Sequence, residues 1–416
     1  IPVLYKQNVA NDLFQLIYVF DMGNNHDKAL GTAFDYLEYL GTSDMTPEEL
    51  KSEFYRLACT FYVSPGNERT YVVLSGLNEN MPAAVQLFEK LLADAQVNKE
   101  AYTNMTGDIL KARSDAKLNQ GQNFSRLMSF AMYGPKSPAT NLLTEAELTN
   151  MNPQELVDRI HNQNSYKHRI LYYGPSSSKD LLATINQYHQ VPAALKDIPA
   201  GNEYAYLETP VTKVLVAPYD AKQIYMAQIS NLDKKYDPAI EPIRALYDEY
   251  FGGGMNSIVF QEMRETRGLA YSAWASIMPP SYLKYPYVLR TQIATQNDKM
   301  IDAVTTFNDI INNMPESEAA FKLAKDGLTN RLRTERIIKG DIIWSYINAQ
   351  DLGQNVDPRI KLYNDIQNMS LKDIVDFQKQ WVKGRTYVYC ILGDKKDLEL
   401  DKLLSLIHIS EPTRPS

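Results

Sequence analysis

The stretch Phe251-Gly-Gly-Gly-Met-Asn-Ser-Ile-Val-Phe-Gln-Glu-Met-Arg-Glu-Thr-Arg-Gly-Leu-Ala-Tyr-Ser272 decides the fold of this chain. Glycines lack a Cβ and so permit a sharp, closely packed entry into a helix. Met255–Arg264 supplies that helix, delivering Arg264 to its end and Tyr271 to the strand that follows. A nucleotide reading of the glycines fails, because neither a Gly-Lys-Ser/Thr nor a G-x-G-x-x-G spacing is present.

Working outward, the same pattern occurs twice. Ala245-Leu-Tyr-Asp-Glu-Tyr-Phe-Gly-Gly253 resembles Ala33-Phe-Asp-Tyr-Leu-Glu-Tyr-Leu-Gly41, and Arg267-Gly-Leu-Ala270 resembles Arg56-Leu-Ala58 at nearly the same offset. Each copy continues into an Asn-led amphipathic helix, at Glu79-Asn80-Met81 and at Gln296-Asn297-Asp298-Lys299-Met300. A tandem duplication follows. Strand-like runs rich in β-branched and aromatic residues lie at Leu13–Asp21, Cys59–Val63, Thr70–Leu77 and His168–Tyr173. Thr46-Pro47-Glu48-Glu49 is a capping box with Pro at the first helical position, Asn152-Pro153-Gln154-Glu155 marks a second helix start, and Asn98–Tyr133 holds one long helix and its continuation. Gln190–Glu203, with two Pro and one Gly, reads as a linker. The expected domains are therefore 1–189, a linker over 190–203, and 204–403. Residues 404–416 read as a sequencing adapter translated in frame. Mixed strands and helices without regular βαβ alternation predict an α+β fold, in which each of two homologous domains is a largely antiparallel sheet with helices packed on one face.

Composition excludes several functions. With 44% hydrophobic and 22% charged residues and a net charge of −7, the chain has no basic stripe with which to neutralise phosphates, so no nucleic-acid partner is expected. No apolar run approaches the roughly 20 residues of a membrane span. Cys59 and Cys390, the only cysteines, read as isolated thiols. His26, His161, His168 and His189 show no helical pairing, so they read as satisfied surface or loop histidines. Ile1 is not an initiator, any leader would precede it, and the compartment stays open.

The segment 251–272 closely resembles the second-domain signature of the insulinase/pitrilysin (inverzincin) family of zinc metallopeptidases. In that family an Arg and a Tyr at this spacing point at bound peptide, so the resemblance implies that Arg264 and Tyr271 bind substrate. A guanidinium offers fixed donors to a peptide carbonyl or carboxylate, and a phenol can donate to a polarised carbonyl. The competing reading makes Arg264 a surface ion-pair partner and Tyr271 a core residue. At the place of the family's H-x-x-E-H zinc motif stands Asp35-Tyr-Leu-Glu-Tyr39, followed by Leu40-Gly41-Thr42. Asp35 and Tyr39 replace the two His ligands, and only Glu38, the base position, survives. The family's third ligand is a Glu on a later helix, yet from Ala101 to Thr144 there is no Glu; Asp108 and Asp115 are the carboxylates, and Lys111 and Ala112 stand near the expected position. No catalytic residue, metal or cofactor is therefore expected in this chain. Asp35 and Glu38 as an acid/base pair are a minor alternative.

The resemblance implies the non-catalytic C-terminal half of a peptidase, enclosing peptide for a zinc-bearing catalytic half that lies upstream on the same polypeptide or on a separate subunit. Peptide would add to a sheet edge and be anchored by Arg264 and Tyr271. Two further classes compete: a scaffold subunit of the same fold without peptide processing, and an independent hydrolase with an unorthodox metal site at Asp35, Glu38 or Tyr39.

Overall fold

The computed structural model describes residues 1–394 and 396–409. The chain forms two compact units. One contains Ile1–Asp115, Pro138–Tyr204 and Ile337–Trp344; the other contains Ala116–Ser137, Ala205–Arg336 and Ser345 onward.

The first unit is built on β1 (Val3–Gln7), β2 (Leu13–Phe20), β3 (Cys59–Pro65), β4 (Thr70–Leu77) and β5 (His168–Gly174), in the spatial order β1-β5-β2-β4-β3. β1 runs parallel to β5 and every other pairing is antiparallel. Alternation along β2 sends Phe14, Leu16, Tyr18 and Phe20 to one face, where they meet Leu30, Phe34 and Leu37 of the helix Leu30–Leu37 and Val85, Phe88 and Leu92 of the helix Met81–Asp94. Ile17 and Val19, on the other face, are buried too.

The second unit repeats this plan strand for strand with β6 (Lys213–Pro218), β7 (Gln223–Lys235), β8 (Ser272–Met278), β9 (Pro286–Gln296) and β10 (Val388–Gly393), in the order β6-β10-β7-β9-β8. Again the outermost pair, β6 with β10, is parallel and the rest antiparallel. Helices Glu241–Phe251, Met300–Asn312, Glu318–Thr334 and Leu371–Trp381 cover one face around Tyr247, Phe251, Phe307 and Trp381. Two sheets of identical connectivity are what a duplicated sequence predicts.

The expected helix starts are present. Thr46 accepts a hydrogen bond from the Glu49 N–H while Glu49 accepts from the Thr46 N–H, closing the capping box of the helix Pro47–Arg56. Asn98–Tyr133 divides into the helices Lys99–Ala116 and Gln120–Tyr133, the second capped by Asn119. Sequence reasoning missed β1, a five-residue edge strand.

The stretch read as adapter begins inside a helix. The helix Leu400–Ile409 runs through its first residues, and Ile407 is 2% exposed within the apolar core, one turn beyond Leu403. Residues 410–416 lie outside the described residues. Among the described residues no helix is long and apolar enough to cross a membrane.

Each unit also holds a segment from the opposite half of the chain. In the second unit the helix Gln120–Tyr133 lays Phe124, Met128 and Ala131 on the remaining sheet face, against Ala227, Ile229, Val388, Cys390 and Leu392; Phe124 meets Tyr225 edge-on at 5.6 Å. In the first unit Trp344 meets Tyr71 of β4 edge-on at 5.0 Å. Phe124→Ala should therefore cost the second unit about 3–5 kcal/mol. Hydrogen exchange should show loss of protection in β7 and β10; unchanged protection there would contradict this packing.

Candidate functional site

The glycine run has a steric cause at its first member. A Cβ on Gly252 would lie 2.1 Å from the Ala275 carbonyl oxygen and 2.5 Å from its nitrogen, so only glycine lets the end of the helix Glu241–Phe251 touch β8. A Cβ on Gly254 would meet no described atom within 4 Å beyond its chain neighbours. The next helix begins later than the sequence suggests: Ser257 caps Ile258–Phe260, and Met255, 73% exposed, lies outside it. That short helix continues as a π-helical turn over Gln261–Thr266. Wider turns of this kind re-aim side chains and recur at functional sites.

The π turn carries Arg264. Its guanidinium carbon stands 5.1 Å from the Phe260 ring centroid and 5.5 Å from that of Tyr271, with Glu265 at 3.7 Å. Gly268, at φ +56°, donates its N–H to the Arg264 carbonyl and turns the chain, and the Tyr271 N–H then bonds the Ala294 carbonyl at the start of β8. Arg264 and Tyr271, seven residues apart, thus come together as a cation stacked on a phenol. Tyr271 is 72% exposed, which removes the reading that places it in the core.

β8 is an outer strand, but its backbone is not open throughout. The Ile277 N–H donates to Asp248 at 2.9 Å, and the Ile277 carbonyl accepts from Arg244 at 3.2 Å. Asp248 also accepts from Ser276 and from Arg244, and Glu241 holds the other side of that guanidinium. An added peptide strand has no backbone partner at Ile277. The expectation of strand addition is corrected there for β8, because side chains of the helix Glu241–Phe251 already occupy its edge. Burial outweighs Arg244 and lifts the Asp248 carboxyl to about 6. Nothing in the spacing of the helix reveals this cap; it exists only through tertiary contact.

Where the sequence resemblance puts the zinc motif, the helix Leu30–Leu37 ends and Glu38 is its C-terminal cap residue. Asp35 and Glu38 are exposed, and so is Tyr39, while Tyr36 points inward and bonds Asn98. Partial desolvation of its carboxyl by neighbouring atoms, and then the charge of Glu38, raise the Asp35 pKa. On the helix Lys99–Ala116, Asp108, Lys111, Ala112 and Asp115 are exposed. Among the described residues no cluster of three or more His, Cys, Asp or Glu could hold a metal ion. Glu38 does line a cavity of about 390 Å³ with Leu37, Leu50, Phe54, Phe61 and Leu91, beside the outer strand β3.

Two histidines depart from the surface reading. His168 and His189 are buried and 2.8 Å apart, Nε2 to Nε2. His168 Nδ1 faces the Tyr166 carbonyl at 2.7 Å and so donates; burial holds its pKa down at about 4, and the neutral ring accepts at Nε2. His189 then donates from Nε2 to that ring, and its Nδ1 lies 2.7 Å from a Glu89 oxygen. Asn164 donates to the other Glu89 oxygen. The two rings lie far apart in sequence, so only the fold could show their contact.

Comparison with known proteins agrees with this architecture. Residues 170–328 match the family described as the peptidase M16 inactive domain. Over 423 residues the chain is 24% identical to a Helicobacter pylori protein described as non-peptidase homolog YmxG, covering 95% of this chain and 92% of that protein. The solved peptidase M16 inactive domain from Pseudomonas fluorescens gives a TM-score of 0.72 at 16% identity, covering 94% of this chain and 95% of that one. The periplasmic protease PqqL from Escherichia coli gives a TM-score of 0.72 at 14% identity, over 94% of this chain and 44% of the protease.

The two shifted groups predict opposite responses to acid. His168 is neutral in the fold but protonates near 6.5 when unfolded, so its contribution is present above 6.5 and is lost as pH falls to about 4, by about 3 kcal/mol. Asp248, raised from 3.8 to about 6, favours its unit below pH 3.8, and that advantage disappears as pH rises through 6, again by about 3 kcal/mol. Between pH 6 and 4, hydrogen exchange should show β2 and β5 losing protection while β8 gains it. Asp248→Asn should flatten the β8 response; an unchanged profile would refute the assignment.

Proposed function

We propose that the chain, whose residues 170–328 match the peptidase M16 inactive-domain family, is the non-catalytic half of an insulinase/pitrilysin-type peptidase, holding peptide for a zinc-bearing catalytic half. The observation that carries this reading is the exposed Arg264–Tyr271 pair at the entrance to β8, upstream of the stretch that Asp248 and Arg244 cap. There a guanidinium and a phenol stand side by side, offering donors to peptide carbonyls or a terminal carboxylate. The phenol also orients the guanidinium through its ring face. In the first domain, β3 and the apolar cavity beside it suit an extended peptide that places an apolar side chain next to Glu38.

With Asp35 and Tyr39 in the ligand positions, Glu38 has no metal-bound water to deprotonate, so bond cleavage belongs to the partner, where the zinc resides. The partner lies either upstream in the same polypeptide or on a separate subunit. The match covers 92% of YmxG and 44% of PqqL, so each arrangement has a relative of corresponding extent. A scaffold subunit without peptide processing is the second reading, favoured by the non-peptidase description of the Helicobacter pylori relative.

The test reconstitutes the protein with its catalytic half and follows cleavage of a fluorescent peptide. Arg264→Ala should raise KM about tenfold or more, and Tyr271→Phe should reduce kcat/KM, since hydrogen bonds to charged groups contribute about 1.5–3 kcal/mol. A stable assembly in which neither substitution alters KM or kcat would favour the scaffold role. Chelator-sensitive cleavage by the isolated chain would overturn both.

A further inference from the structure

Far in sequence from the Arg264–Tyr271 pair, the first unit contains a cavity of about 310 Å³ whose lining includes Gln163, Glu155, Asp158, Arg159, Tyr166 and Lys196. Gln163 is 0% exposed and opens the turn Gln163–Ser165 that follows the helix Gln154–Asn162. Among the described residues neither its Oε1 nor its Nε2 has a hydrogen-bond partner. Leaving both ends of a buried carboxamide unpaired costs about 1–3 kcal/mol each, and native interiors rarely tolerate it.

The charges around that amide divide into two groups. Glu155, Asp158 and Arg159 lie on one face of their helix by its three- and four-residue spacing. Arg159 is already committed to Asp27 at 2.7 Å. Lys196 comes from the linker and is pinned in place: its N–H donates to the Ser165 carbonyl at 2.8 Å, and its carbonyl accepts from the Lys167 N–H at 2.9 Å. Its ammonium stands 5.6 Å from the Tyr166 ring centroid. Among the described residues neither Glu155, Asp158 nor Lys196 enters an ion pair.

We infer that this cavity binds a small zwitterion carrying a primary carboxamide, of the size of free glutamine or asparagine. Glu155 and Asp158 take its ammonium, Lys196 takes its carboxylate, and Gln163 pairs with its amide through one donated and one accepted hydrogen bond. A primary carboxamide presents donor and acceptor along one edge, matching Gln163; a trans peptide group presents them on opposite sides and does not. The inference is independent of the peptide-holding role.

Thermal unfolding and titration calorimetry of the whole chain test it, with L-glutamine, L-asparagine, L-glutamate and N-acetyl-glutamine amide each at up to about 10 mM. At about ten times Kd the two amide amino acids should raise Tm by about 3 °C, whereas glutamate and the capped compound should not. Gln163→Leu should fold and lose the response, and Lys196→Ala should weaken binding about tenfold. If Gln163→Leu does not fold, Gln163→Glu, which removes the donor, should lose the preference for amides over glutamate. No shift and no heat with either amide amino acid would overturn the inference. So would a response that survives in the Gln163 variants, or equal binding of the capped compound.

Discussion

A sheet that is apolar on both faces cannot stop at one helical layer, and this constraint shapes the whole chain. In β2, Leu16, Tyr18 and Phe20 face the helices while Ile17 and Val19, equally buried, face the other way. In the second unit Ala227, Ile229, Val388 and Leu392 make the same demand. Burying apolar area contributes about 25 cal/mol per Å², so an uncovered second face would forfeit a sizeable part of each unit's marginal stability. The helix Gln120–Tyr133 meets that demand in the second unit, and Trp344 contributes to it in the first.

The same economy governs the candidate site. An outer strand exposes backbone groups to any passing chain, and β8 answers with Arg244 and Asp248, which take both polar groups of Ile277. Gly252 lets the helix end press against Ala275, so the cap and the glycine run are one device. What remains outside the capped stretch is the strand's entrance, where the π turn brings Arg264 over Tyr271.

Local signals were legible in the sequence. Thr70–Leu77 and the Thr46 capping box occur where β-branched alternation and cap chemistry place them, and the duplicated motif foretells two sheets of one connectivity. Features that depend on distant partners were not legible. β1 is short and exists by pairing with β5, far along the chain. His168 and His189 meet only when the sheet and the helix Ser178–Tyr188 are assembled, and a lone Asp248 on a helix gives no hint that it will bond a strand. Arg264 and Tyr271 could be named from a motif, but their stacking rests on a π turn that no periodicity announces. Ile407 reached the core because its spacing from Leu403 is helical, whatever the origin of the residues.

The path of the chain between the two units has one further consequence. It changes unit five times, after residues 115, 137, 204, 336 and 344, although its composition suggests a single joint at 190–203. Scission at that joint would leave two fragments that each keep a piece of the other's interior, so they would stay associated without a covalent bond. The polypeptide is thus suited to fragment complementation: a break in the backbone, or in the gene, at the linker is topologically neutral.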